Sequence, residues 1–275
     1  MSQNINRPDL WRACLPALES EHHKHDRGHA LVVGGYPITG VARLAACAAA
    51  RVGAGLTTVA VPEVAFSIYA TALMSIMVEP LTVNRQLEQL LAERSFAAFL
   101  IGCGAGVGAA TRNNVMVLLA KQRPTVLDAD ALTSFSDDTT TLFAATNSEC
   151  VMTPHEGEFA RLFDIVGTRQ QRACRAAQQS GAVVVLKGRE TVVAAPDGRS
   201  VVNISAPSTL ATAGSGDVLG GIIVGLLAQG MPSYEAAAAG VWMHGAAGTL
   251  FGLGLIADDL PNLLPRVLNQ LALSC

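Results

Sequence analysis

Lysine is nearly missing from this sequence: Lys24, Lys121 and Lys187 are the only ones among 19 basic residues. Charge of either sign is scarce, at 15% of 275 residues, and the net charge is -3. Nothing in that balance announces a nucleic-acid partner, whose usual footprint is a basic face. Six cysteines are present (Cys14, Cys47, Cys103, Cys150, Cys174 and Cys275) but no CxxC pair, so neither a zinc ribbon nor a thioredoxin-type motif is built. No Gly-Lys pair occurs anywhere, which excludes a P-loop. The N-terminal segment lacks the uninterrupted apolar stretch of a secretory signal. The most apolar run, 218–227, falls short of the roughly 20 residues that cross a bilayer. Residues 236–250 are Ala-rich but broken by Trp242, His244 and glycines. These absences predict a reducing, cytoplasmic protein with no membrane and no nucleic-acid partner.

What is present is apolar: half of all residues. Short β-branched runs alternate with helical patterns. "HALVVGG" (29–35), "LTTVAVP" (56–62), "AAFLIGCG" (97–104), "PTVLDADAL" (124–132) and "CVMTPHEGEFARLF" (150–163) each begin as a buried strand. "GVARLAACAAARVGAG" (40–55) and "RNNVMVLLAKQ" (112–122) read as helices between them. The rhythm predicts an α/β fold, with a mostly parallel central sheet and helices on both faces. Residues 183–205 pack three strand-like runs with little between them, and "APDGR" supplies an Asp-Gly turn. A small antiparallel meander is expected there. Two Ala-rich helices are expected to close the chain. With no repeat or linker, residues 1–275 read as one domain, the first 20 or so forming a peripheral helix.

Open parallel sheets bind ligands beyond the C-terminal ends of their strands. Glycines and acids gather at those ends: 34–35, 102–108, Asp128, Asp130, 153–158 and 214–217. "IGCGAGVG" fails the dinucleotide fingerprint, because Val107 holds its third glycine position. "AGSGD" before an apolar helix offers another anion site. Amides of Gly214, Ser215 and Gly216 can converge there, beside the positive end of a helix. Gly220, Gly221 and Gly225 would let that helix lie close to its neighbours. Asp217 has two readings. It is an acid favoured by a helix N-terminus, or a base, kept ionised by that helix end, that takes a proton from a hydroxyl as a phosphoryl group arrives.

Together "TAGSGDVLGGIIVGLLAQG", "MTPHEGEFARLF", "LDADAL", "IGCGAG" and "VVLKGRETVV" resemble the ADP/ATP-dependent (6S)-NAD(P)H-hydrate dehydratases of the ribokinase-like superfamily. The likeness runs from about residue 25 to the C-terminus. It implies a ribokinase-like fold. It implies an enzyme that phosphorylates the C6 hydroxyl of hydrated NADH or NADPH with ADP or ATP, then expels phosphate to restore NAD(P)H. By the same resemblance, Asp217 is the base and Gly214, Ser215 and Gly216 the anion hole. Lys187, Gly188, Arg189, Glu190 and Thr191, with Gly216, line the adenine-nucleotide site. Val41, Gly104, Gly106 and His155 contact the hydrate. Glu158 helps hold Mg²⁺ through water, with the acids of "DADAL" nearby. Stand-alone bacterial members lean the donor toward ADP, and a homotetramer is implied.

Departures from the family pattern fall mainly on the substrate side. "HKHDRG" replaces "HKG", Cys103 stands for proline in "GPG", Glu156 for proline in "TPHPGE", and Val41 for alanine. Two rivals remain open: a vitamin-precursor kinase of the same fold, and a nucleotide sensor without turnover. His22, His23, His25 and His29 match no standard metal spacing. His244, in an Ala-rich helix, reads as a packed histidine.

Overall fold

A computed structural model describes residues 4–16 and 23–273. Its strands are β1 His29–Val33, β2 Leu56–Pro62, β3 Met77–Leu81, β4 Ala98–Ile101, β5 Thr125–Leu127, β6 Cys150–Met152, β7 Val183–Leu186, β8 Thr191–Ala194 and β9 Ser200–Asn203. They form one nine-stranded sheet, ordered β3-β2-β1-β4-β5-β6-β7-β8-β9. Pairing is parallel from β3 through β7 and antiparallel at β7–β8 and β8–β9. The helices are α1 Gly40–Val52, α2 Phe66–Ala72, α3 Leu87–Glu93, α4 Ala109–Leu119, α5 Ala129–Thr133, α6 Thr139–Ala145, α7 Glu156–Leu162, α8 Arg169–Ser180, α9 Ser215–Ala228, α10 Ser233–Phe251 and α11 Leu260–Leu273.

Strands of a parallel sheet are buried on both faces, which is why the central runs are apolar throughout. In β1, Ala30 and Val32 pack into the layer of α1, α9, α10 and α11. Leu31 and Val33 pack into the other layer, with α3 to α8. The Asp-Gly meander forms as expected: Ala194 pairs with Ser200, and Ala195 N–H donates to the Arg199 carbonyl at 2.9 Å.

Two expectations need correction. Three helices close the chain, not two. The third, α11, carries Pro265 in its interior, and a proline there argues against a helix when only local pattern is read. The described part of the N-terminus is not an α-helix but a strap with two 3-10 turns, Pro8–Leu10 and Arg12–Cys14. It is fastened by backbone, since Asn6 N–H donates to Val202 and Val202 N–H to Asn4, both at 2.9 Å. Trp11 is buried and its ring meets that of Trp242 at 5.8 Å. One large side chain anchors the strap where a helix would need a repeating apolar face. Among the described residues, no helix is long and apolar enough to cross a membrane.

The sheet's fit to its helices rests on small residues. A Cβ at Gly221 of α9 would lie 2.2 Å from the Ala45 carbonyl oxygen of α1, and one at Gly225 would lie 2.7 Å from that of Ala49. At Gly221 every obstacle is backbone, and at Gly225 the Val52 side chain at 2.4 Å stands in front of the Ala49 backbone, so the two helices must part if Gly221 is filled. Gly221→Ala is expected to cost about 3 kcal/mol in urea unfolding, the upper range for overpacking. A cost below about 0.5 kcal/mol would contradict this helix contact. That contact sets the height of the α9 N-terminus over the sheet, and the site is built there.

Candidate active site at the strand ends

Gly214 caps α9 at φ 85°, a left-handed turn open to glycine, which brings Ser215, Gly216 and Asp217 in as the first helical residues. The Ser215 amide turns back to the Thr212 carbonyl at 3.3 Å. Its hydroxyl meets Nε2 of His244 at 3.0 Å. His244 is buried, as a packed histidine, and burial holds its pKa down at about 4, so the ring is neutral. The Gly216 end of the turn faces Lys187: a Cβ on Gly216 would lie 3.4 Å from Nζ.

Lys187 follows β7 and reaches across the strand ends. Its ammonium donates to Asp128 Oδ1 at 2.7 Å and lies 3.9 Å from Glu158 Oε2. Burial works against the charged amine, but Asp128 and Glu158 outweigh it, and its pKa is raised. Asp128 is itself buried and caps α5, accepting the Ala129 amide at 2.9 Å. The one aspartate therefore fixes a helix start and a cation.

Asp217 is partly buried beside Asp128 and Cys103. One ligating atom of each of these three lies within 4.8 Å of the others. Burial first, and then the Asp128 charge, push the Asp217 carboxyl up to about 6, although the Cys103 thiol and Lys187 pull it down. At neutral pH the carboxyl is still mostly ionised, as expected, but with a smaller margin than a helix N-terminus alone would give. A helix end is worth about 0.3–1 kcal/mol, too little against desolvation and a neighbouring carboxylate. The Cys103 thiol is raised far above its ordinary value by burial and by the same two acids, so it stays protonated and can donate.

The other strand ends supply a second group. Gly104, at φ 68°, lies against the loop before α1: a Cβ there would meet the Ile38 carbonyl oxygen at 2.5 Å and Val41 Cγ2 at 2.9 Å. Gly106 N–H donates to Asp130 Oδ2 at 2.8 Å, and Gly108 N–H to Ser134 Oγ at 3.0 Å. The acids of "DADAL" thus divide. Asp128 faces Lys187, and Asp130 pins the glycine loop and does not join Glu158.

His155 caps α7, its Nδ1 accepting the Gly157 amide at 2.9 Å and the Glu158 amide at 3.3 Å. Nε2 lies 3.2 Å from Glu158 Oε1. Glu158 Oε2 accepts the His155 amide at 2.9 Å in return. Both residues serve first as a capping box, a role hidden in the sequence because histidine is an uncommon cap.

A cavity of about 1220 Å³ opens above this floor. Its walls include His155, Lys187, Gly188, Arg189, Glu190, Thr191, Ser215 and Gly216, together with Arg169, Ile204, Leu219 and His244. The nucleotide candidates are thus brought together, with His155 among them. Val41, Gly104 and Gly106 form a neighbouring group, joined to the floor through Cys103 and Asp217. Arg169 was missed by motif reading, and no local signal marks it.

A protein-family model described as NAD(P)H-hydrate dehydratase matches residues 30–267. The bifunctional NAD(P)H-hydrate repair enzyme of Moorella thermoacetica is 40% identical over 98% of this chain and 55% of its own length. The ADP-dependent (S)-NAD(P)H-hydrate dehydratase of Neisseria meningitidis is 38% identical over 89% of this chain and 86% of its own. The crystal structure of ADP/ATP-dependent NAD(P)H-hydrate dehydratase from Bacillus subtilis, grown with ATP and Mg²⁺, matches with a TM-score of 0.85 and 28% identity, covering 98% of this chain and 99% of that one. The fold is accordingly ribokinase-like. The chain spans about half the length of the bifunctional relatives, 55% and 51% of the first two. The family match covers every strand end described above, and on that ground the chain belongs to the NAD(P)H-hydrate dehydratase family.

Proposed function

We propose that this protein restores NADH or NADPH from the form hydrated at C6 of the nicotinamide ring, with ADP or ATP as phosphoryl donor. One observation carries the reading. Lys187 and Gly216 line a cavity walled by the 187–191 loop, and Asp217, next to Gly216 at the start of α9, lies within Coulombic reach of the Lys187 ammonium. Asp217 accepts the proton of the ring hydroxyl as its oxygen bonds to the terminal phosphorus and the bridging P–O bond of the nucleotide breaks, releasing AMP from ADP or ADP from ATP. The transition state of such transfers is loose, so the carboxylate mainly orients the alcohol. Lys187 and the Gly216 amide, fixed in advance, offset charge on the moving phosphoryl group. Phosphate is a better leaving group than hydroxide. The ring nitrogen's electron pair expels it from C6, and loss of a C5 proton restores the dihydropyridine. Val41, Gly104 and Gly106 frame the hydrate, His155 faces it from the wall of the nucleotide cavity, and Lys187 to Thr191 hold the nucleotide.

Three carboxylates, Asp128, Glu158 and Asp217, face one ammonium, an excess of negative charge that would repel phosphates without a further cation. The oxygens suit Mg²⁺, whereas the Cys103 thiol beside Asp217 and Asp128 does not. A complete protein cage for the ion is therefore not built, and Glu158 and Asp128 would hold it through water while phosphates supply the rest. When bound, Mg²⁺ neutralises phosphate charge. In this reading the protein works in the cytoplasm as a homotetramer. Met74, Val83 and Leu253 are apolar and at least 90% exposed, surface that assembly would cover. Light scattering at four chain masses checks it.

The decisive assay supplies hydrated NADH, Mg²⁺ and ADP or ATP. The near-ultraviolet absorbance of the dihydronicotinamide ring should return, with one phosphate released per cofactor restored. A kinase of vitamin-type alcohols would leave the hydrate untouched and accumulate a phosphoester, and a sensor would turn over neither. No recovery with either nucleotide overturns the reading. Asp130→Ala frees the Gly106 amide, so it should raise KM for the hydrate about tenfold and leave nucleotide affinity alone. An effect confined to the nucleotide would remove the 104–106 loop from the hydrate side.

A further inference from the structure

Arg169 opens α8 with a positive charge at the positive end of the helix, where a cation is disfavoured. Thr168 already caps that helix, its Oγ1 accepting the Gln171 amide at 3.3 Å. Helix stability therefore does not account for the guanidinium. Its contacts lie elsewhere. Nη1 donates to the Lys187 carbonyl at 3.0 Å and to the Leu186 carbonyl at 3.3 Å. Nη2 pairs with Glu156 Oε1 at 2.7 Å. Glu156 is held in turn by Arg172, at 2.7 and 2.9 Å, and its carboxyl is kept below the ordinary range chiefly by that pair. A planar fork can meet two carbonyls and a carboxylate at once, which a lysine ammonium on its flexible stem does poorly.

The same contact explains Gly188. Its backbone is not left-handed, so the turn itself does not call for glycine. A Cβ there would lie 2.5 Å from Arg169 Nη1 and 2.8 Å from Cζ. Glycine at 188 is the space in which the guanidinium lies. Arg169 also lines the cavity of the site, next to the loop it grips.

We propose that Arg169, steadied by Glu156, is a positioning residue for the 187–190 loop. It fixes the carbonyl side of Lys187 while the ammonium of that residue serves the cavity floor. Through Glu156, the first residue of α7, it ties the nucleotide side of the cleft to the turn carrying His155 and Glu158. The proposal rests on reading that loop as the adenine-nucleotide site. It does not depend on which alcohol the enzyme phosphorylates.

Calorimetry with ADP tests it. Arg169→Gln and Arg169→Lys should each weaken ADP binding about tenfold, since lysine cannot reproduce the fork. Gly188→Ala should match them by displacing the guanidinium. Glu156→Gln, which keeps the shape but removes the charge, should weaken binding about threefold. The Arg169→Gln/Gly188→Ala double variant should be no worse than either single one, because both break one contact. In turnover, KM for the nucleotide should rise while kcat and KM for the hydrate stay within about threefold, a split that general loosening of the fold would not produce. Unchanged ADP affinity in folded Arg169→Gln overturns the proposal, as do additive losses in the double variant. Should Arg169→Gln fail to fold, Gly188→Ala and Glu156→Gln decide on the same criteria. If the wild-type chain binds ADP but leaves the hydrate unchanged, the dehydratase reading fails and this one stands. If it binds neither ADP nor ATP, both fail.

Discussion

Asp217→Asn should lower turnover about a thousandfold, within the range for removal of a positioned general base, while the folded protein still binds ADP. Asparagine keeps the shape and can still meet the Cys103 thiol, but it cannot take the hydroxyl proton. Single-turnover phosphate release within tenfold of wild type would end the base assignment. The raised carboxyl adds two pH signatures. Activity needs the ionised form, so turnover should fall as pH drops through about 6. For stability the sign is opposite. The carboxyl binds its proton more readily in the fold than at its ordinary value of 3.8. Its favourable contribution is complete below that value and is lost as pH rises through about 6. At neutral pH the wild type therefore holds a disfavoured charge, and Asp217→Asn should raise Tm. A lower Tm for the variant at pH 7, with the same fold, would show that Asp217 is not strained by burial and Asp128.

Lys187→Met is expected to be the other severe change, and it should act on stability and catalysis together. The ammonium is the partner of buried Asp128 and lies near Glu158. Removing one member of a buried pair costs about 3–5 kcal/mol, because the remaining charge stays uncompensated. The lower end of that range, about 3 kcal/mol, is expected by denaturant unfolding. Turnover should fall about a hundredfold or more, the scale for losing one group that stabilises developing charge. Lys187 also holds the Asp217 carboxyl down, so any residual activity should have its acid limb moved above about 6. Adding Asp128→Asn should recover most of the stability and none of the turnover. If the double variant is no more stable than Lys187→Met, the pair is not what the lysine compensates. If Lys187→Met transfers phosphate at the wild-type rate, the ammonium does not face the moving group.

Much of this protein was legible from local pattern. The βα rhythm, the Asp-Gly meander and the glycine-rich strand ends follow from periodicities and turn chemistry within a few residues, and each formed where expected. "GSGD" before an apolar helix marked the site for the same reason: a helix N-terminus and its capping glycine are local objects. β3, "MVEPL", was not readable, because Glu79 and Pro80 break the strand signature and an edge strand tolerates both. α11 was hidden by Pro265. The site's electrostatics lay further out of reach. Lys187 and Asp128 are 59 positions apart and become partners only because β5 and β7 end on either side of β6. Asp217 owes its raised pKa to burial and to Asp128, neither of which its own helix reveals. Arg169 has no motif, and only the folded chain shows that Gly188 leaves room for it. Sequence determined which elements form and where their polar ends gather, since backbone preference and apolar spacing act over a few residues. Tertiary structure alone decided which charges are buried together, and so which carboxylate is a base and which a counter-ion. Desolvation and Coulomb interaction depend on distance through space, which sequence separation does not measure.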